Sequence, residues 1–160
     1  MTTTATIPLS PAEKRIAEYL IGGARPGEIA AQTHLSPHTV KNHLRVLRRK
    51  VRCPHRCSLP VLVHALLTSR QIAPPTPVES VPDLGPEQRL LLRAVAHRTG
   101  AYDIAEAAQI VPADVRANVE ALVAGTGAHD AVHLVVLAHG WGLLGQERKV
   151  PFRSHERRVI

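Results

Sequence analysis

The chain of 160 residues aligns with itself without a gap when it is shifted by 75 positions. Apolar residues keep the same spacing over most of each half, although two short helical bundles could share a rough apolar rhythm without being copies. The gap-free register favours a true repeat, and so the sequence predicts two tandem copies of one small unit. Identical residues fall opposite each other at Leu9 and Leu84, Pro11 and Pro86, Ile29 and Ile104, Pro37 and Pro112, Val40 and Val115, Leu47 and Leu122, Leu59 and Leu134, and His64 and His139.

The first half predicts four helices, and no segment has the two-residue alternation of a half-buried strand, so the fold class is all-α. Ser10 and Ser36 each precede a proline, a pair typical of a helix cap followed by the first helical position. The short break between the second and third helices is typical of a helix-turn-helix. The four helices are predicted to begin at Pro11, Gly27, Pro37 and about Arg56, and to end at about Gly22, Thr33, Val51 and Ser69.

Composition and charge divide the chain into four regions. Residues 9–72 form a first helix-turn-helix unit that carries 11 basic and 3 acidic side chains. Residues 73–83 contain four prolines and predict an extended linker. Residues 84–145 form a second, degenerate unit in which acids outnumber bases, and residues 146–160 form a basic, flexible tail. A polyanionic partner is therefore expected to bind to the first unit and to the tail.

The third predicted helix has two chemically distinct faces. On a helical wheel of about 100° per residue, Val40, Leu44, Leu47 and Val51 form one narrow apolar stripe. The opposite side is basic and has no acid, whereas a helix face that is merely solvated usually mixes both signs. This pattern favours binding to DNA. The basic and polar side is formed by His38, Lys41, Asn42, Arg45, Arg48, Arg49 and Arg52.

The early turns of such a helix enter the major groove of duplex DNA. Lys41 and Arg45, one turn apart, are predicted to face base edges, where guanine offers two acceptors, and the amide of Asn42 can pair with adenine. The remaining candidates are predicted to contact the DNA backbone. These phosphate or sugar contacts are assigned to His38, Thr39, Arg48, Arg49, Arg52, Arg56 and Arg25.

The segment Ser36-Pro37-His38-Thr39-Val40-Lys41-Asn42-His43 resembles the signature of the LuxR/FixJ/GerE-type helix-turn-helix domain. The flanking order also fits, with Leu9-Ser10-Pro11-Ala12-Glu13 before it and Gly27-Glu28-Ile29-Ala30 on the scaffold helix. The resemblance implies a four-helix DNA-binding module of transcription regulators that dimerises through its fourth helix, and it places base reading on Lys41, Asn42 and Arg45. One position departs from the family, since Arg52 stands where glycine usually ends the recognition helix.

The second unit is expected to keep the fold and to lose the DNA contacts. In the 75-residue register, Asp114 replaces Thr39, Glu120 replaces Arg45, and the basic residues that follow become apolar or glycine. Both fourth helices are apolar almost all round, the second over residues 130–144, so each needs a covering surface. Two arrangements stay open: the fourth helices pair within one chain as a pseudo-dimer, or they pair across chains in a homodimer. The second unit then serves dimerisation or contact with a partner such as RNA polymerase or another regulator.

Other classes of function find little support in the sequence. No phosphate loop, nucleophile elbow or carboxylate pair predicts an enzyme, and no catalytic residue or cofactor is expected. Cys53, His55 and Cys57 give three ligands at most, so no metal site is predicted. No apolar run spans a bilayer, and a cytoplasmic protein, nucleoid-associated when bound to DNA, is expected. The alternative function is a protein–protein adaptor of the transcription machinery, whose basic helix docks on an acidic protein surface.

Overall fold

The computed structural model describes residues 7–53, 56–73 and 81–144. The predicted all-α class is confirmed, because this part of the chain contains α-helices, one 3-10 turn and no strand. The predicted basic tail and most of the proline-rich linker lie outside the described residues. The helices are α1 (Pro11–Ile21), α2 (Pro26–Thr33), α3 (Pro37–Lys50), α4 (Leu59–Thr68), α5 (Pro86–His97), α6 (Ala101–Ala108), the 3-10 turn Pro112–Asp114, α7 (Val115–Thr126) and α8 (Ala131–Trp141).

Two predicted helix boundaries are wrong, for local reasons. The helix expected from Arg56 begins at Leu59, because Arg56 takes a left-handed φ of 65° and Ser58 caps α4 by accepting a hydrogen bond from the amide of Val61. The last helix, expected to reach Leu144, ends at Trp141. Gly142 there has a φ of 80°, a left-handed conformation that ends a helix and that glycine adopts without strain.

The two halves use the same backbone hydrogen bonds at positions 75 residues apart. After α2 the amide of Leu35 donates to Ala30, and after α6 the amide of Ile110 donates to Ala105. The residues that end α2 and α6, His34 and Gln109, both have a φ of about 60° although neither is glycine. The fold therefore places equivalent turns at equivalent positions in both halves.

The buried side chains of the two halves form one contiguous core. Helices α4 and α8 lie at its centre and pack against each other, with Leu62, Val63, Leu134 and Val135 fully buried. Helix α5 of the second half also packs on α4, and α1 of the first half also packs on α8. The linker therefore joins two units that share their interior.

Helix α7 starts differently from α3. Ser36 caps α3, whereas its counterpart Val111 has no side-chain oxygen, and the segment that follows forms the 3-10 turn before α7 begins at Val115. Because the amides of a first helical turn need acceptors, the missing hydroxyl accounts for the tighter turn. In the described ranges no single helix is long and apolar enough to cross a membrane; only the bent pair Pro112–Thr126 and Ala131–Trp141 meets that length and composition together.

Candidate nucleic-acid interface

The turn before α3 holds the start of that helix in a defined position. Three residues separate α2 from α3, as predicted, and His34 enters the turn with a left-handed φ of 61°. The hydroxyl of Ser36 accepts a hydrogen bond from the amide of Thr39 at 3.1 Å and lies 2.9 Å from the hydroxyl of Thr39. The cap satisfies one of the free amides of the first turn and leaves the end of the helix at the surface.

One face of α3 is buried and the other is exposed. Val40, Leu44 and Leu47 are at most 4% exposed and attach the helix to the core. On the opposite side Lys41 and Arg45 are exposed in the intact chain, so the second half of the molecule does not cover them. The predicted apolar stripe therefore positions the predicted polar face toward solvent.

Three of the polar side chains form a hydrogen-bonded row along the exposed face. The guanidinium of Arg45 donates to the amide oxygen of Asn42 at 3.0 Å, and the amide nitrogen of Asn42 lies 3.4 Å from Nε2 of His38. The residues are spaced at i, i+4 and i+7, so they project from one side of the helix. The row orders long side chains before any ligand arrives, which lowers the entropy lost on binding.

The later turns of α3 and the loop before α4 enclose a basic concavity of about 530 Å³. Five of its lining side chains are cations and none is acidic. The concavity therefore concentrates positive potential on the side of α3 that faces solvent, as expected of a surface that binds a polyanion. It is lined by Lys41, Arg45, Arg48, Arg49, Arg56 and Cys53.

Arg48 has a structural contact in addition to its charge. Its Nε donates to the backbone carbonyl of Cys57 at 3.1 Å, so the side chain ties α3 to the turn before α4. The thiol of Cys53 lies beside it. Burial and then the hydrogen bond with Cys57 raise the pKa of the Cys53 thiol to about 12, so the thiol is neutral near pH 7 and does not offset the surrounding cations.

Lys50 is directed away from this basic surface. Its ammonium group lies 2.6 Å from a carboxylate oxygen of Glu13, and it also donates to the carbonyl of Pro8. Burial alone would raise the pKa of Glu13, but the hydrogen bonds from Lys50 and Ser10 outweigh it and hold that pKa below the usual value. The pair connects the end of α3 to the start of α1.

The end of α3 is closed by an arginine in a conformation that glycine normally adopts. Arg52 has a φ of 60°, its amide donates to Arg49, and the amide of Cys53 donates to Arg48 at 2.8 Å. These two bonds form a Schellman motif. Arg52 therefore ends the helix in the way that glycine normally does. A side chain in this left-handed conformation lowers stability by about 1–2 kcal/mol relative to glycine.

Arg25 lies apart from the other predicted phosphate contacts. It caps the start of α2, where its backbone amide donates to the carboxylate of Glu28 at 2.8 Å. It lines a separate cleft next to the second half, together with Leu59, Asp130 and Val132. The structure thus groups Lys41, the later arginines of α3 and Arg56 in one place and leaves Arg25 outside that group.

Cys53 is the one member of the basic concavity that the prediction of DNA contacts left out. It lies at i+8 from Arg45 and i+4 from Arg49, so helical spacing past the end of α3 could have placed it on this side. Within the described ranges, no three or more histidine, cysteine or acidic side chains are grouped so as to hold a metal ion.

The equivalent face of α7 has different electrostatics. Arg116, which corresponds to Lys41, is the one cation kept there, and its Nε lies 3.3 Å from a carboxylate oxygen of Glu120. Glu120 corresponds to Arg45, and Asp114 adds a further exposed acid at the start of the helix. On this face the retained cation therefore pairs with a carboxylate of its own helix.

Comparison with protein families assigns the first half. Residues 7–63 match the model described as GerE: Bacterial regulatory proteins, luxR family. The match includes α1, α2, α3, the start of α4 and every predicted DNA-contacting residue. Residues 7–63 are therefore a LuxR-type helix-turn-helix domain, as the resemblance indicated, and this family consists of DNA-binding transcription regulators. Searches of curated proteins and of solved structures found no match.

Proposed function

We propose that the protein is a transcription regulator that reads a specific sequence in the major groove of double-stranded DNA with α3. The observation that carries the proposal is the acid-free outer face of α3, with Lys41 and Arg45 exposed, which is held outward by the buried side chains of Val40, Leu44 and Leu47. A helix in this position after a tight turn is the element that enters the major groove in helix-turn-helix proteins.

The first three turns of α3 contact the bases. Lys41 and Arg45 are exposed one turn apart and donate to O6 and N7 of guanine, and Asn42 between them pairs with adenine. The hydrogen bond from Arg45 to Asn42 holds both groups in the row before DNA binds, so the pair approaches the base edges as one unit.

The remaining candidates bind the sugar-phosphate backbone. Arg49 and Arg56 line the basic concavity with Arg48, which supports the recognition helix through its bond to Cys57 and faces phosphate with the rest of its guanidinium. His38 and Thr39 stand at the entering end of the helix, where the positive end of the helix dipole also attracts phosphate. Arg52 contributes charge from the end of α3. Arg25 lies outside the basic concavity, and its contact with phosphate stays a prediction.

The second half is a degenerate copy of the first and does not bind DNA. Shared turns and shared hydrogen bonds 75 residues apart support its origin as a copy, with unit boundaries near residues 9–72 and 84–145. The Arg116–Glu120 pair and the acid at Asp114 support its loss of DNA contact. Three further features stay predictions: contact with RNA polymerase or another regulator, a cytoplasmic location, and association with the nucleoid.

The test is a salt titration of binding to a cognate duplex selected from a random-sequence library. Lys41→Ala should weaken binding to that duplex by about 1–3 kcal/mol. Arg116→Ala is the matched control in the second half and should leave binding unchanged. The logarithm of affinity should fall steeply with the logarithm of salt concentration, by about 0.9 for each phosphate neutralised. If no duplex is selected and Lys41→Ala removes binding to an acidic protein instead, the adaptor function replaces this proposal.

A further inference from the structure

The α4–α8 interface has the pattern of contacts that a two-fold axis produces. In a symmetric dimer, each contact between two residues recurs with the residues exchanged. Here α4 packs on α5 of the second half, and α8, which corresponds to α4, packs on α1, which corresponds to α5. The two halves therefore face each other as the two subunits of a symmetric dimer would.

His64 and His139 mark the position of this axis. They are 75 residues apart, so they are equivalent in the repeat, and Nδ1 of His64 lies 2.8 Å from Nε2 of His139. Equivalent residues of two subunits touch each other only where they lie next to the axis. Burial lowers the pKa of His139 to about 4, so its ring is neutral near pH 7 and can share a hydrogen bond with the imidazole of His64. The ring of His97 on α5 packs edge-on against that of His64.

The interface covers the apolar surfaces of both fourth helices. Leu62, Val63 and Leu66 of α4 are 0% exposed, and Leu134 and Val135 of α8 are equally buried. The large apolar side chains that are exposed in the described part of the chain lie elsewhere, at Ile7, Val81, Tyr102 and Val111. In this part of the molecule no large apolar side chain of α4 or α8 is exposed, so neither helix offers a wide apolar surface to a second copy of the chain.

Within the second half, α7 occupies the place that a second recognition helix would have in a symmetric dimer. Under the pseudo-two-fold relation α7 stands where the α3 of a partner subunit would stand, but its exposed face carries the Arg116–Glu120 pair in place of the basic row. A pseudo-dimer of this kind has the symmetry of a two-headed regulator and a single DNA-binding surface.

We infer that the protein binds DNA as a monomer and recognises a single, non-palindromic half-site, because its second half fills in cis the position of a dimer partner. This inference rests on the proposed DNA-binding function. A symmetric dimer would bind two inverted half-sites about one helical turn apart, whereas one recognition helix needs one block of bases in one major groove.

The first measurement is the mass of the intact chain in solution, by sedimentation equilibrium at micromolar concentrations and without DNA. The expected result is a single species of 17.4 kDa. A dimer under these conditions overturns the inference. Because no DNA is present, the result does not depend on whether the proposed function is right.

The second measurement is the motif selected by the intact chain from a library of random-sequence duplexes. The expected motif is one asymmetric block of bases, bound with a stoichiometry of one chain per duplex. An inverted repeat of that block should take up two chains independently, with about the same affinity for each. Two inverted blocks at fixed spacing, or a preference for the inverted repeat above about 100-fold, contradict the inference, because linked heads gain affinity of that order.

The two proposals fail in different ways. A monomeric chain that selects no motif contradicts the proposed function, while selection of a palindrome by a dimer contradicts the single half-site and leaves DNA binding intact. Lys41→Ala provides the internal control, since it should weaken binding to the selected motif by about 5- to 150-fold, equivalent to about 1–3 kcal/mol, without changing the measured mass.

Discussion

Helices α3 and α7 have equivalent apolar stripes on their buried sides, but their outer faces carry different charges. Leu47 and Leu122 occupy the same place in the repeat and are 0% and 2% exposed. On the outer face, Arg45 of α3 donates to Asn42, whereas its counterpart Glu120 in α7 pairs with Arg116. The buried positions that hold such a helix in place can therefore change independently of the positions on its outer face, because the two sets project from opposite sides of the helix.

The largest expected effect is on the free energy of unfolding, at the buried leucines that occupy equivalent positions in α3 and α7. Leu47→Ala and Leu122→Ala should each lower the free energy of unfolding by about 2–5 kcal/mol, because each leaves a cavity in the same contiguous core. Urea denaturation measures both. The exposed pair Lys14→Ala and Arg89→Ala, also 75 residues apart, should change stability by less than about 0.5 kcal/mol. A Leu122→Ala variant as stable as the parent would mean that the second half does not share the core.

The next effect concerns the positions at which the helices differ. Arg45→Glu gives α3 the residue of α7, and it should reduce affinity for the cognate duplex by about 100-fold or more, because a base contact is lost and a carboxylate faces the DNA. The reciprocal Glu120→Arg should leave sequence-specific affinity unchanged. Electrophoretic mobility shifts at fixed salt measure both variants, and an equal gain in specific affinity from Glu120→Arg would identify α7 as a second recognition helix.

A smaller effect is expected at the ends of the two helices. Arg52 and Gly127 both take a left-handed φ, of 60° and 79°, at equivalent positions. Arg52→Gly should raise the free energy of unfolding by about 1 kcal/mol, since the steric cost of a side chain in this conformation is removed. The same variant should reduce the slope of the logarithm of DNA affinity against the logarithm of salt concentration by about 1, the value of one phosphate contact.

Gly127→Arg is the reciprocal variant. It should lower stability by about 1–2 kcal/mol, and it should leave DNA binding as it was, because under the proposed function α7 does not contact the duplex. Thermal unfolding and salt titration of both variants separate the two effects. If Arg52→Gly is more stable and binds DNA with an unchanged salt dependence, then Arg52 does not contact phosphate.

The smallest effect is expected at the starts of the helices. Ser36→Ala removes the hydroxyl that accepts the amide of Thr39 and should cost about 1 kcal/mol of stability. Val111→Ser supplies the missing cap to the second half and should raise stability by up to about 1 kcal/mol. Val111 is 59% exposed, so little buried apolar surface is lost by that change. Destabilisation by Val111→Ser would show that the 3-10 turn does not result from the absent cap.

Much of the first half could be predicted because its signals are local. A serine followed by proline marks the starts of α1 and α3 correctly, since a cap and its first turn are adjacent in the chain. The apolar spacing of Val40, Leu44 and Leu47 predicts the buried side of α3, since helical geometry alone sets it. The predicted start of α4 at Arg56 is wrong because nothing in the sequence indicates the left-handed φ that this arginine adopts.

Contacts between distant segments could not be predicted from the same patterns. The bond from Arg48 to the carbonyl of Cys57 and the ion pair of Lys50 with Glu13 give structural roles to two of the cations on α3. Helical spacing already leaves Lys50 off the predicted DNA-contacting face, but only the neighbours in space show that it pairs with Glu13 and that Arg48 also supports the turn before α4. The position of Arg25, in a cleft that Asp130 of the second half also lines, is a further case.

By itself the sequence determined the helical class, the turn before α3 and the separation of that helix into a buried and a cationic face, because these features depend on residues a few positions apart. It left the pairing of the fourth helices open, since both are apolar almost all round and equivalent helices can pair within or between chains. Only the tertiary structure decided that α4 packs on α8 of the same chain, with His64 against His139. The physical reason is that burying an apolar helix lowers the free energy with any complementary partner, and the choice of partner depends on contacts between residues far apart in the chain.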